Sequence, residues 1–201
     1  MTLRRCVVMT LWIIPGLLGC APKRVHIMPE VAAINRVAVI NLADRTGKPS
    51  AESEFFTNEF VSLGFSVLER GHLREILDEA FTEHGYLDEQ TIAQRGRGLG
   101  IEGVVLHQIL NNAPVGPEDE SYEVSGWVRI VDVETGKIVM TYNVEFRAPG
   151  SSTKTRAAKL YAERVVDDIR MELQRNKIVP GSAVKMKVQE KVEVKKTPAS
   201  P

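Results

Sequence analysis

Between Ser121 and Phe146 the chain alternates so regularly that few backbone arrangements satisfy it. Tyr122, Val124, Gly126, Val128 and Ile130 alternate with Ser121, Glu123, Ser125, Trp127 and Arg129, and the pattern resumes at Ile138, Met140, Tyr142, Val144 and Phe146 after Glu134-Thr135-Gly136. Successive side chains on a strand point to opposite faces, so the two segments predict antiparallel strands joined by a short glycine turn, one face packed and the other wet. A packed face needs a cover. Ser151 to Thr153 opens a helix in which Ala158, Tyr161, Ala162, Val165, Val166, Ile169 and Leu173 form a continuous apolar stripe, with Lys, Arg, Asp and Glu on the other side.

Upstream, Arg36 to Leu42 is a compact run rich in β-branched residues, closed by the turn chemistry of Ala43 to Ser50, and reads as a buried first strand. Ser50 can cap a helix with Glu52 and Glu54 in its first turn, Phe55, Phe56, Phe60, Val61 and Leu63 on its inner face and Gly64 at its end. Phe65 to Glu69 is the second strand, so strand, helix and strand imply a parallel crossover. From Gly71 the period becomes 3.6, with Leu73, Ile76, Leu77, Ala80 and Phe81 on one side and Gly85 closing the helix. Asp88 to Arg97 reads as a weaker helix, Gly103 to Leu110 as a third buried strand, and Asn111 to Glu120 as a solvated loop carrying Pro114, Gly116, Pro117 and three acids. The expected fold is α/β of the mixed α+β kind: a five-stranded mixed sheet flanked by helices, in the order β-α-β-α-(α)-β-β-β-α.

The N-terminus has different chemistry. Arg4 and Arg5 precede an apolar run from Cys6 to Leu18, interrupted by Thr10, Pro15 and Gly16 and followed by the small residue Gly19. That is the layout of a cleaved export signal, and it is shorter than the roughly 20 apolar residues a membrane helix needs. Leu17-Leu18-Gly19-Cys20 resembles the bacterial lipobox, in which the cysteine thiol is joined to diacylglycerol, the chain is cut before it, and the new amino group is N-acylated. Residues 1–19 are then the signal peptide and 20–35 a lipidated tether. Neither Ala21 nor Pro22 is the aspartate that commonly marks retention in the inner membrane, so the expected location is the outer membrane, facing the periplasm.

Cleavage before Cys20 leaves 182 of the 201 residues, enough for one domain with a substantial core. The charges are balanced, 26 basic against 26 acidic, and nothing global points to nucleic acid. Cys6 is discarded and Cys20 acylated, so stability must come from packing rather than a disulfide. The domain is expected over 36–175. The lysine-rich stretch 176–201 reads as either a late edge strand, from the alternation Val184, Met186, Val188, Val192 and Val194, or a disordered basic tail.

Several phrases, in order, resemble one family: Arg36 to Leu42 followed by Asp44-Arg45-Thr46-Gly47, then Gly64-Phe65-Ser66-Val67-Leu68-Glu69-Arg70, Leu99 to Val105, and Val131-Asp132-Val133-Glu134-Thr135-Gly136-Lys137-Ile138-Val139. They look like the curli-secretion lipoprotein (CsgG) family and its relative, the penicillin-binding-protein activator lipoprotein (LpoB), over roughly residues 35 to 175. The resemblance implies a periplasmic α/β domain without catalytic activity that works through protein partners and often by self-assembly. Secretion pores of that family insert two long amphipathic hairpins. Here Asn111 to Glu120 reads as too short and too prolyl for one, and only Ala148-Pro149-Gly150 stands where the other would be.

Other motifs give way to simpler readings. Thr46-Gly47-Lys48-Pro49-Ser50 is not a phosphate loop, since Leu42 stands where the first glycine belongs and Pro49 where the magnesium-binding hydroxyl belongs. Gly96-Arg97-Gly98-Leu99-Gly100 follows a helix rather than a strand and reads as a helix terminator. His26, His72, His84 and His107 show no metal-ligand spacing and no nucleophile elbow is recognisable, so neither cofactor nor metal is expected. Trp127 falls on the wet face with Glu123 and Arg129. An aromatic there is a docking anchor for a protein partner or is covered by a helix or the lysine-rich tail, and both readings stand. The leading expectation is a non-enzymatic lipoprotein binding an envelope protein in cell-wall synthesis, appendage assembly or export; the alternatives are a ring-forming secretion component and an envelope enzyme.

Overall fold

The computed structural model describes residues 25–44, 50–68, 89–117, 119–151 and 153–182. Along the chain come β1 (Val25–Ile27), a 3-10 turn (Pro29–Ala33), β2 (Arg36–Asn41), α1 (Ala51–Ser62), β3 (Ser66–Val67), α2 (Glu89–Gly98), β4 (Gly103–Gly116), β5 (Asp119–Asp132), β6 (Ile138–Ala148) and α3 (Lys154–Arg175). Among the described residues the strands form one six-stranded sheet in the order β1-β6-β5-β4-β2-β3, with β2 parallel to β3 and β4 and the remaining pairs antiparallel. The mixed α+β class is as expected, and the strand count is six rather than five.

The sixth strand lies within the stretch read as a tether. Val25 and Ile27 are buried against β6, opposite Tyr142 and Met140, and Val31 and Ile34 of the following turn enter the same core. Three residues are too few for alternation to declare a strand; the partner supplies the hydrogen bonds and the burial. The stretch Asn111 to Glu120 is corrected as well. β4 continues through it to Gly116 and pairs with β5 from Asp119, with irregularities between Ile109 and Asn111 and between Pro114 and Gly116. The ladder with β2 ends at Asn41 opposite His107, so beyond that point, among the described residues, β4 has only β5 beside it, and an edge is where a sheet tolerates proline.

The predicted hairpin is present with its turn chemistry. Asp132 Oδ1 accepts from the Thr135 backbone N–H at 2.7 Å and from its hydroxyl at 3.0 Å, and Gly136 takes the left-handed φ of +69° that closes the turn. The last helix also forms, with Thr153 accepting from the Arg156 N–H at 3.2 Å, and the whole predicted stripe from Ala158 to Leu173 is buried. Ser50 caps α1 as expected, accepting from the Ser53 N–H. The inner face of α1 is narrower than expected: Phe56 and Phe60 are buried, Phe55 and Leu63 half-buried, and Val61 is 54% exposed. The expected helix from Gly71 to Gly85, the signal peptide with Cys20, and the lysine-rich stretch beyond 182 lie outside the described residues.

Two cores result. α1 and α3 cover one sheet face over Val37, Val39, Val105, Val128, Ile130 and Tyr142, while on the other face Ile92 of α2 packs with Ala38, Val104, Leu106, Val131 and Val133. Each fully buried large side chain contributes about 1.5–3 kcal/mol by leaving water. The larger core closes tightly over Gly126, where a Cβ would overlap the Gln108 carbonyl oxygen and sit 2.6 Å from the Tyr161 hydroxyl. Gly126→Ala is therefore expected to destabilise the domain by about 1–3 kcal/mol, read as a lowered midpoint in urea, because one contact is backbone and cannot swing away. An unchanged midpoint would refute the close fit of α3 on the sheet.

Candidate functional site

Alternation on β5 and β6 puts Ser125, Trp127 and Arg129 on the face opposite α3, with Gln108 and Asn143 as Trp127's neighbours in register and Leu106 and Thr141 as Arg129's. The Trp127 ring is half-buried, its inner part packed against the smaller core, and the Arg129 guanidinium stands 4.8 Å from the ring centroid. A guanidinium over indole within about 6 Å is attracted by the ring's electron-rich face and holds it in place. Trp127 and Arg129 are thus brought together. Glu123 is on the same face but two rungs further along, exposed, between Ala113 and Arg147. The structure joins the first two of the three residues singled out and leaves the third apart.

A second polar cluster stands where β2 runs out. Asp44 Oδ2 accepts from the Ser50 N–H at 3.1 Å, from the Ser50 hydroxyl at 3.3 Å and from the Ser53 hydroxyl, and Asn41 Nδ2 donates to Ser50 Oγ at 3.1 Å. These bonds occupy the first turn of α1, and each polar group has a partner. Partial burial raises the Glu52 carboxyl above its ordinary range; Lys154 opposes the shift, Asp44 adds to it, and a hydrogen bond with Asn41 opposes it. The arrangement caps a helix. At the hairpin end, the Ser121 hydroxyl at 2.5 Å and the Arg147 guanidinium hold the Asp119 carboxyl below its usual range. Among the described residues no group of three or more His, Cys, Asp or Glu could hold a metal ion, and no helix is long and apolar enough to cross a membrane.

His107 stands in an apolar strand with no ligand spacing, so the sequence alone does not mark it. It is fully buried, its ring stacked on Phe56 with centroids 4.0 Å apart, and among the described residues neither ring nitrogen has a hydrogen-bond partner. Tyr161 meets the other part of this aromatic group, 6.0 Å from Phe56, and its hydroxyl is likewise buried without a partner. Burial pushes the His107 pKa down to about 3 and the Tyr161 phenol up.

The fold and the face together define a mixed α+β domain that presents an aromatic–guanidinium pair on a partly open sheet face. No family model matches the chain, and no curated protein matches it. Among solved structures it is similar to the PelC dodecamer from Paraburkholderia phytofirmans, at 11% identity over 73% of this chain and 95% of that one, with a TM-score of 0.49. It is also similar to lipoprotein GNA1162 from Neisseria meningitidis, at 16% identity over 67% of this chain and 97% of that one, with a TM-score of 0.39. The LpoB C-terminal domain from Salmonella enterica is similar at 12% identity over 61% of this chain and 96% of that one, with a TM-score of 0.35.

The buried histidine has a measurable consequence. Its folded pKa of about 3 lies below the ordinary 6.5, so the unfolded chain binds the proton first; stability is fully present above pH 6.5 and declines as the pH falls toward 3. Between pH 8 and pH 5 the loss from this group is about 2 kcal/mol. Urea midpoints across that range should fall for the wild-type chain and stay flatter for His107→Leu. Parallel curves would show that His107 finds water or a partner in the folded state.

Proposed function

We propose that this chain is a non-enzymatic lipoprotein, held through acylated Cys20 in the outer membrane, whose periplasmic domain binds an envelope protein and assists cell-wall synthesis, appendage assembly or export. The observation that carries the reading is the run from Cys6 to Leu18 ending in Leu17-Leu18-Gly19-Cys20, only five residues before the first strand at Val25. Diacylglycerol plus an N-acyl chain is an anchor well beyond the marginal hold of one fatty chain. The Trp127–Arg129 pair is the proposed contact. Its aromatic is already ordered by the cation and the smaller core, so little side-chain entropy remains to be lost on binding.

Two measurements test this. Wild-type protein should sediment with membranes, partition into detergent and carry the mass of a triacylated mature chain, whereas Cys20→Ser should carry no acyl mass and keep the mass of residues 1–19; an unacylated wild-type chain would end the lipoprotein reading. Trp127→Ala should lose capture of the envelope partner at least tenfold while its unfolding free energy from urea titration falls by no more than about 2 kcal/mol, the scale of one half-buried aromatic. Equal capture by both chains would move the contact elsewhere.

A further inference from the structure

β1 covers only part of the edge of β6. It pairs with Met140, Thr141 and Tyr142, while β6 continues to Ala148 with β5 on its inner side and, among the described residues, no strand on its outer side. The Met28 N–H donates to the Val139 carbonyl at 2.9 Å, so the odd-numbered residues of β6 turn their N–H and C=O toward that outer side. In the uncovered part these are Asn143, Glu145 and Arg147. Their side chains lie on the Trp127 face, and those of Val144, Phe146 and Ala148 on the α3 face.

We propose that this edge pairs with the same edge of a second copy of the chain, antiparallel, about a two-fold axis at Phe146. In that register each Glu145 stands opposite the second copy's Arg147, and both residues have outward N–H and C=O groups. The two symmetry-related pairs thus exchange four backbone hydrogen bonds and bring opposite charges together on one face. On the other face Phe146 meets Phe146, with Val144 against Ala148. Moving the axis to Glu145 or to Arg147 places two like charges directly opposite, so charge selects this register. The contact is isologous and closes after two copies.

One competing occupant is the chain's own N-terminal segment. Carrying the β1 register backward would put Arg24 opposite Asn143 and Pro22 opposite Glu145, and proline has no N–H to offer the Glu145 carbonyl. Arg147 also pairs with Asp119 and donates through Nε to the Ser121 hydroxyl at 2.9 Å, both on neighbouring β5, but keeps 60% of its side chain exposed, so its remaining N–H groups can face a second copy.

The test is oxidative crosslinking of full-length acylated protein in vesicles, with the wild-type chain as baseline. Directly opposed residues in a non-hydrogen-bonded antiparallel pair have Cβ atoms about 4.5–5.5 Å apart, within reach of a disulfide after small adjustments. Phe146→Cys should give a disulfide dimer at least tenfold faster than Asn143→Cys on the same edge or Ser66→Cys on the opposite one. Adding Glu145→Arg to Phe146→Cys should slow the dimer at least fivefold, and adding Arg147→Glu as well should restore it. Should Phe146→Cys misfold, mixing a Glu145→Cys chain with an Arg147→Cys chain reads the same register. Equal rates at Phe146 and Ser66, or a charge exchange that fails to restore crosslinking, would overturn the proposal, as would an edge occupied by residues 20–24, seen as protected amides at Glu145 and Arg147 in a chain held monomeric by dilution.

Discussion

Burial of β4 on both faces is the constraint on which the rest of the structure depends. Val104, Val105 and Leu106 are at most 1% exposed, although their side chains leave the strand in opposite directions. A strand flanked by β2 and β5 satisfies its backbone within the sheet, so such a run needs a layer on each side. α1 and α3 supply one layer and α2 contributes to the other. Helix placement, the close approach at Gly126 and the isolation of His107 all follow from filling those two spaces.

The same constraint explains where chemistry is free to act. Going back from the end of β5 toward its middle, and along β6 toward its middle, the second layer gives out, and the face changes from Val131 to Arg129, Trp127 and Ser125. Trp127 sits at that boundary, half in the smaller core and half outside it, which gives a rigid aromatic at a polar surface. β1 stands at the neighbouring sheet edge, and Val25 follows Cys20 by five residues, a reach of about 17 Å when fully extended. Whatever holds Cys20 therefore holds this edge and this face close by.

His107 shows what the packing demands. A histidine in the middle of a buried ladder, stacked on Phe56 and, among the described residues, without a partner for either nitrogen, is tolerated only as the neutral form. Its ring stacks on Phe56 of α1, which in turn meets Tyr161 of α3, so the imidazole gains ring contact in place of hydrogen bonds. The fold thereby ties part of its stability to a proton that the unfolded chain takes up and the folded chain refuses.

Local periodicity by itself determined the β5–β6 hairpin with its Glu134-Thr135-Gly136 turn, the stripe of α3, the Ser50 cap and the class of fold, because each rests on residues close together in the chain. It also placed Trp127 and Arg129 on one face, since a two-residue repeat is enough to decide that. Tertiary structure alone decided the rest. Val25–Ile27 became a strand because Met140–Tyr142 offered an edge, and residues 111–116 continued β4 despite Pro114 because β2 had already ended. His107 lost its water because helices distant in sequence closed over it, and Glu123 parted from Trp127 because strand spacing separates residues that merely share a face. In each case the deciding partner lies far away along the chain, where no local pattern carries its position.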